Sequence, residues 1–215
     1  MRGTGHADVS CRAAVPGDRA VAAVMKRVVV VMLDGLRRDF VDARLTPCLA
    51  GFAAGAETFG AFRTAFPSAT RAVSATFATG CHPARHGLQG NAVALLEHGR
   101  LVPHDVGRPD FLAHKRAVTG HALDEPTLAE RVAGAGGAVV FNNVSPGAAM
   151  AHDPDGFGSV YHRAVSHGPG WMPVADPLRV SLDAAGDRAM AERFIAEVLP
   201  CRPALGVLWF GEPDH

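Results

Sequence analysis

The sequence lacks a surplus of either charge, since Lys+Arg and Asp+Glu both total 21 and the formal net charge is zero. Without a basic surplus, it has no electrostatic footprint for nucleic acid or for an anionic membrane. Long apolar runs are also missing: no segment reaches the ~18 residues of a membrane helix, and residues 1–24 contain no apolar core of a secretory signal. We therefore expect a cytoplasmic protein with no nucleic-acid-binding patch and no membrane segment.

Cysteine pairs and phosphate-binding glycine motifs are missing as well. Cys11, Cys48, Cys81 and Cys201 are scattered and form no CxxC pair, so the sequence supports neither a zinc knuckle nor a redox motif. We expect free thiols in a reducing compartment. No Gly-x-Gly-x-x-Gly or Walker-type loop occurs, which disfavours a nucleotide-binding module without catalysis.

What the chain does contain is an alternation of strand-like and helix-like segments, rich in Ala, Val and Gly. The unbroken apolar run Val28–Leu33 is typical of a strand buried on both faces. Further strands are predicted at Glu57–Ala65, Ala138–Val144 and Ala204–Phe210, the last unpaired on one side. Helices are predicted at residues 46–55, Thr70–Thr79, Pro126–Ala135 and Leu182–Leu199, with Met190, Phe194, Ile195 and Val198 of the last one facing the core.

This alternation predicts an α/β fold with a mostly parallel central sheet flanked by helices. The segment His152–Trp171, full of Gly, His, Asp and Pro, is expected to leave the sheet as a long excursion. Residues 1–24 form a leader or follow a mis-called start, because Met25 directly precedes the first strand. Residues 25–215 then form the folded domain.

Two carboxylates follow predicted strands directly. Asp34 ends the run VVVVMLD, and Asp214 follows ALGVLWF after Gly-Glu-Pro. Ligands of parallel sheets bind beyond the carboxyl ends of the strands, and two carboxylates around one hydroxyl suggest a two-metal site. An Asp-Gly turn explains Asp34 equally well on local grounds.

Thr70 begins a predicted helix, where free N–H groups and the helix dipole favour a phosphoryl group. The same position suits an ordinary N-cap, and local chemistry does not separate Thr70 from Ser68, Ser74, Thr76 and Thr79. Asn91 could donate to a developing oxyanion, although a Gly-Asn turn is the simpler interpretation. Pro83, between His82 and His86, makes a two-histidine zinc face improbable.

The order of these motifs resembles the nucleotide pyrophosphatase/phosphodiesterase family of the alkaline phosphatase superfamily. The motifs are VVVVMLDG, FPSAT ending at Thr70, Thr79-Gly80, His-Pro-Ala-Arg-His-Gly, Asn91 and Gly-Glu-Pro-Asp. The resemblance runs from about Met25 to the last residue. It implies an alkaline-phosphatase-like fold that is C-terminally incomplete, because it covers only the N-terminal portion of such a catalytic domain.

The resemblance also implies roles for individual residues. Asp34 would bind one zinc and Asp214 the other, as the first member of an Asp-x-x-x-His motif; the family's remaining ligands would lie beyond His215. Thr70 would be the nucleophile between the two divalent metal ions and form a phospho-threonine. Asn91 would hold a phosphate oxygen of a small phosphorylated substrate.

Arg71 stands where many family members have an aromatic residue that stacks on a nucleotide base. A guanidinium suits a carboxylate, a second phosphate or a phosphonate, so we expect Arg71 to bind substrate. The predicted activity is hydrolysis of phosphate diesters or related phosphoryl and phosphonate compounds. The alternative is a truncated, inactive fragment of such an enzyme. A sulfatase-like hydrolase ranks lower, because Thr70 cannot become formylglycine.

Overall fold

The computed structural model describes residues 27–214 and contains a five-stranded sheet with helices packed on both faces. The strands, in spatial order, are β1 (Val28–Leu33), β7 (Leu205–Phe210), β4 (Ala138–Asn142), β5 (Ser159–His162) and β6 (Val165–His167). The first four are parallel and only β6 is antiparallel. The predicted α/β fold with a mostly parallel sheet is confirmed. The predictions for residues 1–24, Met25 and Cys11 lie outside the described residues.

The remaining elements surround this sheet. A hairpin of β2 (Ala92–Glu97) and β3 (Arg100–Asp105) forms a separate two-stranded sheet. The helices are α1 (Pro47–Ala54), α2 (Thr70–Thr79), α3 (Pro83–His86), α4 (Phe111–Thr119), α5 (Leu128–Val132), α6 (Pro146–Met150), α7 (Ala184–Arg193) and α8 (Leu199–Cys201). No helix among residues 27–214 is long and apolar enough to cross a membrane.

The core lies on the two faces of the sheet, and the pleat divides the strand residues between them. Val140, Val160 and Val207 belong to the cluster beneath α2, α4, α5 and α6. Their immediate neighbours, such as Phe141 and Leu208, pack on the opposite face with α7 and the π-helical turn Phe194–Val198 that follows it. This two-sided burial explains why the strands read as nearly continuous apolar runs.

The roles of β1 and β7 are the reverse of the prediction. β7 is paired on both sides, with β1 and β4, so Ala204–Phe210 has no unpaired edge. Within residues 27–214, β1 pairs with β7 alone, and Val29 and Val31 are 51% and 55% exposed. The prediction that Val28–Leu33 is buried on both faces is therefore wrong, because the edge position leaves Val29 and Val31 largely exposed while Val30 packs only partly against the core.

Two further segments differ from the prediction. Glu57–Ala65 is not a strand; it forms turns and extended chain, with Phe59 and Phe62 exposed. His152–Trp171 does not leave the sheet, because it contains β5 and β6. Its polar composition hid two short strands: β5 pairs with β4, and β6 pairs with β5.

The C-terminal helix and the cysteines bring smaller corrections. Met190, Phe194 and Val198 are buried as predicted, but Ile195 is 58% exposed. The π-helical turn Phe194–Val198 changes the helical spacing at this point, which explains the error. Cys48 and Cys81 are free thiols, whereas Cys201 is disulfide-bonded, so the expectation of free thiols is wrong for Cys201.

Candidate active site

Asp34 and Asp214 lie at the same edge of the sheet because β1 and β7 are parallel neighbours. The backbone N–H of Asp34 donates to Phe210 O over 3.3 Å, which extends the pairing by one residue. Gly35 then adopts a left-handed conformation with φ +68°, and a Cβ there would stand 2.7 Å from Asp214 Oδ1. Only glycine therefore lets the Asp214 carboxylate approach the chain beside Asp34.

Thr70 is the first residue of α2, and its side chain reaches this edge. Its Oγ1 donates to Asp34 Oδ2 over 3.4 Å, a contact that spans 36 positions of the sequence. Ala69 precedes the helix in an extended conformation, and no side chain caps the helix N-terminus. The first N–H groups of a ten-residue helix are thus directed to the place where the Thr70 hydroxyl lies.

The other hydroxyl groups near Thr70 have different surroundings. Thr79 Oγ1 is buried, donates to Ala75 O over 2.7 Å and accepts from Cys81 N. Thr76 Oγ1 lies 3.0 Å from His86 Nε2, and Ser74 is fully buried. Ser68 is exposed before the helix begins. Of these hydroxyls, Thr70 is the one hydrogen-bonded to a strand-end carboxylate.

His86 has a structural role. Its Nδ1 accepts from Leu88 N over 3.2 Å, so its Nε2 carries the proton and donates to Thr76 Oγ1. The side chain is fully buried, and this burial lowers the pKa of His86 below its ordinary value. His82, in contrast, is exposed just before α3. The expectation that the two histidines do not form a zinc face agrees with these environments.

Asn91 and Arg71 form a pair at the base of the β2–β3 hairpin. Arg71 Nη1 donates to Asn91 Oδ1 over 2.8 Å. The guanidinium lies against Gly107, where a Cβ would stand 3.0 Å from Arg71 Nε. Because its oxygen accepts from Arg71, the Asn91 amide has its two N–H donors left for another acceptor. The buried Arg71 Nε has no hydrogen-bond partner among the described residues.

Asp187 is a buried carboxylate that sequence reasoning missed. Its Oδ2 accepts from Glu212 N over 2.9 Å, and its Oδ1 accepts from Asn143 Nδ2 over 2.8 Å. It thereby ties the turn that carries Asp214 to α7 and to the end of β4. The sequence around Asp187 gives no local signal for this role, because its partner Glu212 lies 25 residues away.

The strand-end donors are compatible with a divalent cation. Asp34, Thr70 and Asp214 offer two carboxylates and one hydroxyl, the oxygen ligands that hard divalent ions accept and that zinc also binds. The close approach of Asp214 to Gly35 brings its carboxylate beside the strand end whose Asp34 contacts Thr70. These residues would supply some of the ligands of a metal ion, and a complete zinc site would need further ligands.

A family model named type I phosphodiesterase/nucleotide pyrophosphatase matches residues 28–215. The chain belongs to this family. The family match confirms the resemblance that the strand-end and Thr-rich motifs indicated. No curated protein matches the chain.

The fold of this phosphodiesterase-family chain is similar to that of a solved hydrolase. Two crystal structures of phosphonoacetate hydrolase from Sinorhizobium meliloti 1021, with phosphonoformate and with phosphonoacetate, each align with a TM-score of 0.56 and 20% identity. Each alignment covers 88% of this chain and 49% of the other, so the chain spans about half the length of these neighbours. The likeness supports an alkaline-phosphatase-like fold.

Proposed function

We propose that this protein contributes the nucleophile half of an active site that hydrolyses small phosphoryl or phosphonate compounds, with Thr70 as the nucleophile. The observation that carries the proposal is the position of Thr70. Its hydroxyl lies at the N-terminus of α2 and bonds to Asp34 at the carboxyl edge of a parallel sheet. Membership of the type I phosphodiesterase family supports this chemistry.

These positions support a two-step reaction. Thr70 Oγ1 attacks phosphorus, a new O–P bond forms, and the bond from phosphorus to the leaving group breaks. Asp34 Oδ2 accepts the hydrogen bond of the hydroxyl and orients it. The proton that Thr70 loses on attack passes to solvent, and the leaving group takes up a proton from water. The phospho-threonine that results sits at the N-terminus of α2, where free N–H groups and the helix dipole stabilise its charge. Water then cleaves it and regenerates Thr70.

Two divalent ions, zinc in this family, complete the proposal. Asp34, Thr70 and Asp214 are the residues of this chain that would hold them. Bound metal would lower the pKa of the hydroxyl and offset the negative charge of the phosphoryl group. Asp187 acts through Asp214, because it fixes the turn at Glu212 on which Asp214 is carried.

Asn91 and Arg71 define the substrate class in this proposal. The free N–H donors of Asn91 would bind a non-bridging phosphoryl oxygen. Arg71, besides orienting Asn91, carries a guanidinium that suits a second anionic group. A phosphonate with a carboxylate has both groups, and the hydrolase with a similar fold was crystallised with two such compounds. We therefore favour a small substrate with two separate anionic groups over a nucleotide.

The decisive experiment compares Thr70→Ala with Ser68→Ala, a matched removal of an exposed hydroxyl two residues away. The protein is supplied with zinc, and release of product from bis(p-nitrophenyl) phosphate and from phosphonoacetate is measured. Thr70→Ala should lose about 10³-fold or more in kcat, whereas Ser68→Ala should keep the parental rate. Acid-quenched mass spectrometry should place a phosphoryl group on Thr70. Equal rates for both variants would refute the assignment.

A second candidate is a chain that binds metal weakly and turns over nothing by itself. The observation that favours it is the donor set at the strand ends, which contains carboxylates and a hydroxyl but needs further ligands for tight zinc binding. This candidate predicts no product release from the zinc-supplied parent and no phosphoryl group on Thr70. Measurable turnover that depends on Thr70 would exclude it.

A further inference from the structure

We infer that Glu97, His104 and His114 form a second divalent-metal site, selective for zinc-like ions and separate from Asp34, Thr70 and Asp214. One ligand atom from each residue lies within 4.8 Å of the other two. Two imidazoles and one carboxylate are a common protein donor set for zinc, and they leave a fourth position open for water. The family motifs described above include none of these three residues.

The three side chains already converge on one point. His104 Nε2 lies 2.6 Å from Glu97 Oε1, and His114 Nε2 lies 2.9 Å from the same oxygen. The two imidazole rings have centroids 4.6 Å apart. In a tetrahedral zinc site with bonds of about 2.0–2.1 Å, ligand atoms stand about 3.3 Å apart. The two contacts of Glu97 would therefore have to lengthen by about 0.7 Å to His104 and about 0.4 Å to His114 to accept the ion.

The fold explains why these residues meet. Glu97 pairs with Arg100 near the hairpin turn, and His104 lies four positions further along β3, so both side chains lie on the same face of the hairpin. His114 comes from α4, which packs on β2. The His104 ring also rests beside Phe111, at a centroid distance of 6.3 Å. Two separate elements thus supply one ligand set.

The site is also accessible. Side-chain exposures are 20% for Glu97, 23% for His104 and 42% for His114, so an ion can enter without unfolding. A cavity of about 450 Å³ borders both histidines and leaves room for a bound water. Both Nε2 atoms face one carboxylate oxygen, and zinc would bind these nitrogens through their lone pairs while each ring keeps its proton on Nδ1.

A metal here would act as a clamp. It would join β2 and β3 to α4 in place of the hydrogen bonds that Glu97 accepts from the two histidines. The inference does not rest on the proposed reaction, because the donor set and its geometry are independent of Thr70.

The test measures zinc uptake by the metal-stripped chain. Asp34→Asn with Asp214→Asn serves as the parent, so that the strand-end carboxylates do not contribute, and titration calorimetry with ZnCl₂ gives stoichiometry and Kd. We expect one zinc per chain. His104→Asn and His114→Asn should each weaken binding by more than about tenfold, since even residues that merely orient metal ligands are worth 10- to 100-fold. His121→Asn, an exposed histidine outside the cluster, should bind like the parent.

Cobalt absorption provides a second readout that does not depend on affinity. Co²⁺ in the parent should show visible d–d bands, and His104→Asn should lose them while its circular dichroism spectrum stays unchanged. The same pair of measurements on the otherwise unmodified chain covers the case in which the double Asn parent fails to fold. No zinc uptake by a folded parent, or equal Kd values for the parent and His104→Asn, would overturn the inference.

Discussion

The two halves of α2 carry the same kinds of side chain in opposite situations. At its N-terminus, Thr70 and Arg71 reach Asp34 and Asn91 on other elements. In its second half, Thr76 and Thr79 bond to a buried histidine and to the helix's own backbone. Hydroxyl chemistry is identical in all three threonines. The tertiary position places Thr70 beside a strand-end carboxylate and gives Thr76 and Thr79 contacts that hold the fold.

The proposed function therefore assigns α2 a reactive N-terminal end, while its C-terminal end holds the fold. Helix N-termini concentrate unpaired N–H groups and positive potential, and α2 directs that end to the carboxyl edge of the sheet. Its other end packs against the core. The helix ends there at Gly80, which adopts a left-handed conformation. Substitutions at one end should change rates, and substitutions at the other should change stability.

The largest expected effect comes from Thr70→Val compared with Thr79→Val. Both replacements keep the side-chain shape and remove a hydroxyl. Thr70→Val should reduce kcat by about 10³-fold or more and leave the unfolding free energy within about 0.5 kcal/mol. Thr79→Val should keep kcat and cost about 1–3 kcal/mol, because Cys81 N loses its acceptor. Urea unfolding and steady-state kinetics check both; a large stability loss for Thr70→Val would break the comparison.

The next largest effect concerns Asn91, the partner of Arg71. Asn91→Ala should lower kcat/KM about 100-fold, the cost of one oxyanion donor. Asn91→Asp keeps an acceptor for Arg71 but removes the N–H donors and adds a charge that repels phosphate, so it should be no better than Asn91→Ala. The measurement is kcat/KM for a phosphonate substrate. An Asn91→Asp variant with the parental rate would mean that the amide only positions Arg71.

The structural end should show itself in the pH dependence of stability. Burial lowers the pKa of His86. Below pH 6.5, His86 is therefore protonated to a greater extent in the unfolded chain than in the folded chain. Stability therefore falls as pH decreases below 6.5, with a slope of at most about 1.4 kcal/mol per pH unit for one proton. Burial also lowers the pKa of His152 to about 4 and, with the nearby Arg163, that of His162 to about 3.

His86→Gln tests this dependence. Below pH 6.5 it should reduce the slope by the contribution of at most one proton, while the exposed His121→Gln should leave the slope unchanged. Urea midpoints across this range provide the measurement. An unchanged slope in His86→Gln would show that His86 titrates normally in the folded protein, contrary to its burial.

The sequence predicts the local parts of this arrangement well. α2 begins and ends where expected, because a run of small residues is closed by Gly80, and β1 and β7 follow from their apolar runs. Nothing local shows that β1 is an edge strand, since pairing and coverage are decided by distant elements. Asp187 was missed for the same reason: its partner Glu212 N is defined only in the folded chain.

The candidate site divides in the same way. Asp34 and Asp214 are recognisable as residues that follow strands, and the parallel pairing of β1 and β7 then brings them together. Thr70 cannot be separated from Ser74, Thr76 or Thr79 by local chemistry; the family resemblance singles it out, and the contact with Asp34 gives it a physical reason. The Glu97 cluster follows no recognisable metal-binding spacing, because its third ligand comes from another element.

The smallest expected effect tests whether the reactive end depends on the space that Gly107 leaves. Its missing side chain makes room for the Arg71 guanidinium. Gly107→Ala should push Arg71 away from Asn91 and lower kcat/KM by roughly 3- to 10-fold. The effect is small because the Arg71 guanidinium is displaced but not removed. Gly51→Ala in α1 is the matched control, because a Cβ there meets nothing within 4 Å. If Gly107→Ala matches this control, the Arg71–Asn91 pair adapts freely and its orientation does not limit the rate.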